Sequence, residues 1–266
     1  MVTTFDISPE TRASLTSLSL SRPLPITGAN GGIGLEAVRQ LLDLGCKVIL
    51  TELINGRDLA PEFFQVWKLH LSSYESIIAF AGRAKTLKSL DIAILSAGLL
   101  KVTESFSSST GYEEGVQTNF LANMLLTVLL LPIIKEKRAL GQPGHICEGN
   151  SIPVLPAFKR KSPNWNIADR YGATKLLGQL FLTELAKHVS SSVISLSCAN
   201  PGFCSGSELS REPSGIVYAA HGQYVEDAKV QPPEGLRLSK QVYEETLDGL
   251  SFAGVRDIID QVSKVR

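Results

Sequence analysis

Thr27-Gly28-Ala29-Asn30-Gly31-Gly32-Ile33-Gly34 joins an apolar run, Leu24–Thr27, to an amphipathic stretch, Ile33–Leu44. In that stretch Ile33, Val38, Leu41 and Leu42 share one side, and Gly45 is the stop. A strand, a glycine-rich turn and a helix in this order bring backbone amides and a helix N-terminus up to a pyrophosphate. Gly28 permits the tight turn. Gly32 lets the backbone approach the phosphates, and Gly34 lets the helix pack close.

Outward from this turn, apolar runs alternate with helical periodicities. The pattern predicts strands at Lys47–Thr51, Val66–Leu69, Asp91–Ser96, His145–Asn150 and Ser192–Cys198. A further strand is expected near Tyr224. Helices are predicted at Ser72–Lys85, capped by Ser72 or Ser73, and at Tyr112–Lys137, Tyr171–Val189 and Ser239–Leu250. Strands with few polar positions, joined by helices, imply a parallel sheet covered on both faces. The fold class is therefore α/β, a doubly wound parallel sheet in one three-layer domain over residues 23–266. Residues 1–22, rich in Ser and Thr, form an N-terminal extension. The ligand site of such a sheet lies at the carboxyl ends of its strands.

Tyr171-Gly172-Ala173-Thr174-Lys175 places a phenol and an ammonium one helical turn apart on one face. A free phenol titrates near 10, and a neighbouring ammonium is expected to lower that value. At the end of the second strand, Glu52 stands where a carboxylate accepts hydrogen bonds from an adenosine ribose. A 2′-phosphate would be repelled there, which favours NAD; Arg57 is a cation that keeps NADP open.

Lys+Arg and Asp+Glu are both 26 in 266 residues, so neither nucleic acid nor an anionic membrane has an electrostatic claim on the chain. Zero net charge is compatible with self-association. Cys46, Cys147, Cys198 and Cys204 form no CxxC pair, and no nearby His completes a metal-ligand spacing, so no metal site is expected. Their usage suits a reducing compartment. No charged n-region precedes an apolar h-region, and the apolar stretch Met124–Ile134 is too short to span a bilayer. A soluble cytoplasmic protein is the expectation.

These motifs together resemble the short-chain dehydrogenase/reductases, nearly over the whole chain, and most of all the branch of retinol dehydrogenases and fungal biosynthetic reductases. The glycine turn matches that family's cofactor turn, carrying Gly28, Asn30, Gly31, Gly32, Ile33 and Gly34. Ser96-Ala97-Gly98 stands where the family has Asn-Ala-Gly. Asn119 matches its helix Asn, Tyr171 and Lys175 its YxxxK, and Pro201-Gly202 its nicotinamide turn. Ser151 is the match for its carbonyl-binding serine.

The resemblance implies a Rossmann fold, an NAD(P)(H) cofactor and hydride exchange with a ketone or secondary alcohol, on a lipophilic small molecule of secondary metabolism. Tyr171 would give or take the proton. Lys175 would hold the nicotinamide ribose, Ser151 would polarise the carbonyl, and Asn119 would hold a relay water. The resemblance also implies a homodimer or homotetramer.

Several positions depart from that pattern. Pro23 and Pro25 enter a strand expected to be central. His70 stands where the family carries an Asp near the adenine, and Glu148 falls in a strand expected to be buried. The segments 52–65 and 212–220 are short, the second where a substrate lid is expected. These departures leave open a non-redox reading: an isomerase, a cyclisation catalyst or a cofactor-binding protein without hydride transfer.

Overall fold

Pro23–Thr27 (β1) runs between Lys47–Leu50 (β2) and Ile92–Leu95 (β4) in a computed structural model of the chain, which describes residues 22–51, 63–138, 144–148, 155–198 and 233–264. Phe64–Val66 (β3) pairs with β2, Gly144–Glu148 (β5) with β4, and Ile194–Cys198 (β6) with β5. All pairs are parallel, in the order β3-β2-β1-β4-β5-β6. The order reverses direction between β1 and β4, and a crevice opens there at the strands' carboxyl ends. The expected single doubly wound domain is thus the observed one.

Pro25 sits inside β1, and the ladder with β4 begins only at Ile26, one residue beyond it. The ladder with β2 covers Pro23 to Ile26. Arg22 anchors the entry to β1: its guanidinium pairs with Asp91 and donates to the Lys137 carbonyl at 2.5 Å.

Gly32–Asp43 (α1) covers β1 and β2 on one face. Val48 and Leu50 point into that smaller core, with Leu24, Ile26, Val38 and Leu41. Ile49 points the other way, into the main core. That alternation is the period of a strand buried on both faces. On the main-core side lie Tyr74–Ala84 (α2), Glu114–Lys137 (α3), Ile167–Leu185 (α4), Pro233–Gly249 (α5) and Val255–Ser263 (α6).

α3 is long and apolar enough to cross a membrane, longer than the apolar stretch at its centre suggested. It is instead the central core helix, 83% buried along its most apolar window. A helix apolar all round belongs in a core, and α2, α4 and α6 pack against it.

Several boundaries differ from the sequence reading. β3 is Phe64–Val66 rather than Val66–Leu69. Trp67 and Leu69 are buried but lie past the strand, in chain leaving an edge whose own Gln65 and Val66 are exposed. Apolar burial there reflects the descent towards α2, not strand pairing. α4 begins at Ile167, four residues before Tyr171, because Asn166 Oδ1 accepts from Ala168 N at 2.8 Å and Asp169 N at 3.2 Å. α5 starts before Ser239, and α6 has no counterpart in the sequence reading. At α2 the cap is Ser73, whose hydroxyl accepts from Ser76 N. The N-terminal extension and the strand expected near Tyr224 lie outside the described residues.

α6 is tied down by one ammonium. Lys135 Nζ on α3 donates to the carbonyls of Gln261 (3.3 Å), Val262 (2.9 Å) and Lys264 (2.7 Å), the orphan acceptors at the end of α6. Lys135→Met is expected to lower unfolding free energy by roughly 1 kcal/mol. Urea denaturation measures this, and an unchanged midpoint contradicts it.

Candidate active site

The glycine turn is built by contacts that no side chain would allow. Gly28 has φ of 69°, and a Cβ there would lie 2.8 Å from Ala97 Cα. A Cβ on Gly34 would lie 2.2 Å from the Gly28 carbonyl oxygen, so α1 rests directly on the turn. Gly31 caps α1 with extended backbone and no side-chain cap bond, and no acidic residue stands in the first turn. Among the described residues no side chain caps the first amides of α1, which suits a phosphate. Ile33 is 43% exposed beside them, not packed with the apolar side of α1 as its spacing suggested. Asn30 is exposed as well.

The chain leaving β4 meets this turn from the other side. Ala97 N donates to Thr27 Oγ1 at 3.0 Å, which joins the ends of β1 and β4. Asn119 Oδ1 accepts from Leu99 N at 2.7 Å, and its Nδ2 donates to Leu99 O at 2.8 Å. Asn123, one turn on, donates to Ala97 O at 3.3 Å. Two asparagines thus strap residues 97–99 to α3. A Cβ on Gly98 would come within 3.2 Å of Lys175 Nζ and 3.3 Å of Asn119 Oδ1. Ser96, Ala97, Gly98, Asn119 and Lys175 are gathered in one place.

Asn119 lies in a π-helical segment, Gln117–Ala122, inside α3. Such widened turns let a helix re-aim a side chain. Here the amide of Asn119 also donates to Thr174 Oγ1 at 3.0 Å, and that hydroxyl donates to the Tyr171 carbonyl at 2.9 Å. The chain of bonds runs from Leu99 through Asn119 and Thr174 to Tyr171. Both polar ends of the Asn119 side chain are engaged, so the geometry gives it a strapping task.

Lys175 Nζ stands 5.5 Å from the centroid of the Tyr171 ring. The i,i+4 pairing is therefore present. Its predicted effect on acidity is not: burial pushes the Tyr171 phenol above its ordinary value. Desolvation of the phenolate outweighs the ammonium, so the phenol holds its proton through neutral pH.

Tyr171, Asn119, Thr174, Leu99, Glu113 and Arg170 line one cavity of about 10 Å³, room for about one water. Leu99 and Lys101 also border a neighbouring open cleft of about 400 Å³, walled by Ser107, Ser109, Gln117 and Thr118. His70 is exposed at the end of the chain leaving β3, and its amide donates to Ser76 Oγ at 2.9 Å. Glu52, Ser151, Pro201 and Gly202 lie outside the described residues, as does the side chain of Glu148. Among the described residues no group of His, Cys, Asp and Glu is placed to hold a metal ion.

The sequence reading passed over Thr27, Asn123, Thr174, Glu113, Trp165 and Arg170. Asn123 had a signal, since two asparagines four apart interrupt an otherwise apolar helix. Thr27 and Thr174 had only their neighbours. Nothing local marked Glu113, whose partners lie some fifty residues away.

Gly34→Ala is expected to weaken nucleotide binding about tenfold or more, because the clash is with backbone. Calorimetric titration with NADH and NADPH measures this, and unchanged affinity contradicts the cradle. A second expectation concerns pH. Burial raises the Glu113 carboxyl above its ordinary value, against the opposing pull of Trp165 and Arg170. Its stabilising contribution is complete below the ordinary glutamate range and is lost as pH rises through the folded value. Glu113→Gln, which cannot ionise, should therefore lose less stability over that rise than the wild type. Equal slopes of unfolding free energy against pH contradict this.

Comparison with known proteins agrees with this geometry. A family model described as short chain dehydrogenase matches residues 24–214. The chain is 43% identical to the short-chain dehydrogenase fogG of Aspergillus ruber, with 99% of this chain and all of the relative covered. That alignment runs over 348 positions, so the relative carries segments this chain lacks. The fold is similar to a short-chain dehydrogenase from Leptospira borgpetersenii solved with bound NAD+ (TM-score 0.50, 23% identity, 69% of this chain and 71% of that one). It is similar also to a short-chain dehydrogenase/reductase from Burkholderia multivorans solved with bound NADP (TM-score 0.50, 19% identity, 68% and 79%). A family match over most of its length, on a sheet and glycine turn of this geometry, makes the chain a member of the short-chain dehydrogenase family of oxidoreductases.

Proposed function

We propose that this oxidoreductase interconverts a ketone and a secondary alcohol on a lipophilic small molecule, using NAD(P)(H), with Tyr171 as the proton donor and acceptor. One observation carries the reading: Tyr171, Lys175, Asn119 and Gly98 converge beside the glycine turn, at the point where the strand order reverses. The residues fit the cofactor. The uncapped N-terminus of α1 and the Gly28–Gly34 contact form a cradle for a pyrophosphate. When bound, the nicotinamide supplies or accepts a hydride.

The chain's own residues do the rest. The half-buried phenol of Tyr171 keeps its proton at neutral pH and delivers it to the oxygen that gains charge when a carbonyl is reduced. Lys175, approaching Gly98, holds the ribose and places a positive charge beside the phenol as that proton leaves. Asn119 and Thr174 fix the helix turn that carries Tyr171. Ser151 is assigned to the carbonyl oxygen, and Pro201-Gly202 to the nicotinamide, on the family match of their positions. Glu52 supports NAD over NADP, and His70 is placed by position near the adenine. Assembly as a homodimer or homotetramer and a cytoplasmic location belong to the same proposal and rest on sequence resemblance.

The longer aligned relative favours one competing reading, a family member that has lost segments and binds a nucleotide without redox turnover. The retained Tyr171, Lys175 and Asn119 cluster speaks against it. The test is nucleotide titration, then oxidation of NADH or NADPH with a panel of aliphatic and aromatic ketones. Tyr171→Phe is expected to keep nucleotide affinity and lose roughly a hundredfold or more in kcat. Undiminished turnover in that variant would remove Tyr171 from the mechanism, and a folded chain that binds neither nucleotide would leave the competing reading.

A further inference from the structure

Glu113 is the first residue of α3's capping turn, yet its carboxylate does not cap α3. Helix dipole and open amides would favour it there. The side chain crosses instead to the segment that leads into Tyr171. Its Oε1 accepts from Trp165 Nε1 at 3.3 Å, and its Oε2 faces Arg170 Nε at 3.7 Å. Its backbone amide donates to Phe158 O at 2.8 Å, and the Arg170 guanidinium lies over the Phe158 ring at 5.0 Å. The residue is 3% exposed and shares a cavity with Tyr171.

A buried carboxylate is costly unless it is bonded and paired. Here the partners are three points on the chain between Phe158 and Arg170, and Arg170 immediately precedes Tyr171. We propose that Glu113 is a positioning residue for the Tyr171 chemistry, fixing through Trp165 and Arg170 the first turn of the helix that carries the phenol. The proposal rests on the acid–base reading of Tyr171 and goes beyond it. The charged and titratable groups facing Glu113 are Arg170 from α4 and Glu104 from the loop after β4, with Lys101 and Tyr171 on the same cavity wall. Glu104 is itself held, accepting from Ser162 N at 2.7 Å, so the whole segment before α4 is moored to carboxylates.

Glu113→Gln keeps an acceptor for Trp165 and removes the charge facing Arg170. It is compared with Glu113→Ala and with Tyr171→Phe in the full chain. Three readings are taken: affinity for NADH and NADPH, tryptophan emission against pH, and kcat and KM with phenanthrenequinone as the carbonyl probe. In Glu113→Gln, nucleotide affinity should stay within about twofold of wild type while kcat falls about ten- to a hundredfold, KM changing less. The wild type should show an acid transition in Trp165 emission, and that transition should vanish in Glu113→Gln.

Wild-type kcat in Glu113→Gln, or an emission transition that persists there, overturns the proposal. Loss of turnover in Tyr171→Phe but not in Glu113→Gln sinks this proposal alone; retention in Tyr171→Phe sinks the acid–base reading and this proposal with it. Should Glu113→Ala fail to fold, Glu113→Gln still decides. With a carbonyl that wild type does not reduce, the emission arm decides by itself.

Discussion

Chain leaving the central strand β4 carries backbone groups that the sheet no longer satisfies, and everything at the site depends on who satisfies them. Buried amides and carbonyls must find partners. Thr27 takes the amide of Ala97, Asn123 its carbonyl, and Asn119 both groups of Leu99. With residues 97–99 so fixed, Gly28 can press against Ala97, and Gly98 against Lys175 and Asn119. The glycine turn and the Tyr171 helix are thereby held in register with one another, though they lie far apart in sequence. The same asparagine reaches Thr174, so one side chain couples the strand end to the helix turn that carries the phenol.

Burial then sets the chemistry. The phenol of Tyr171 and the carboxyl of Glu113 are both raised by desolvation, in the same cavity. A raised phenol stays protonated through neutral pH but is a weaker acid, so proton transfer from it needs the phenolate stabilised as it forms. In the proposed mechanism the ammonium of Lys175, 5.5 Å from the centroid of the Tyr171 ring, offsets the negative charge left on the phenol as its proton departs.

Much of this was legible in the sequence. The glycine turn, the strand–helix alternation and the spacing of Tyr171 and Lys175 are local patterns, and local patterns survive in a linear reading. β3 was misplaced because Trp67 and Leu69 are buried by loop packing, which period-two counting cannot separate from a strand. α4 was begun late because the Asn166 cap was overlooked. The direction of the Tyr171 shift was inverted because the sequence shows an ammonium nearby but not the depth of burial. The Glu113 contacts were invisible because they join segments that only the tertiary fold brings together. Glu52, Ser151, Pro201 and Gly202 keep the standing that their sequence positions give them.

The most direct measurement is an experimental structure of the chain with NADH or NADPH bound. The account predicts the pyrophosphate on the N-terminus of α1, the ribose within hydrogen-bonding reach of Lys175, and nicotinamide C4 on the side of the crevice occupied by the Tyr171 phenol. A nucleotide bound away from the Gly28–Gly34 turn, or with its nicotinamide turned from Tyr171, would contradict it.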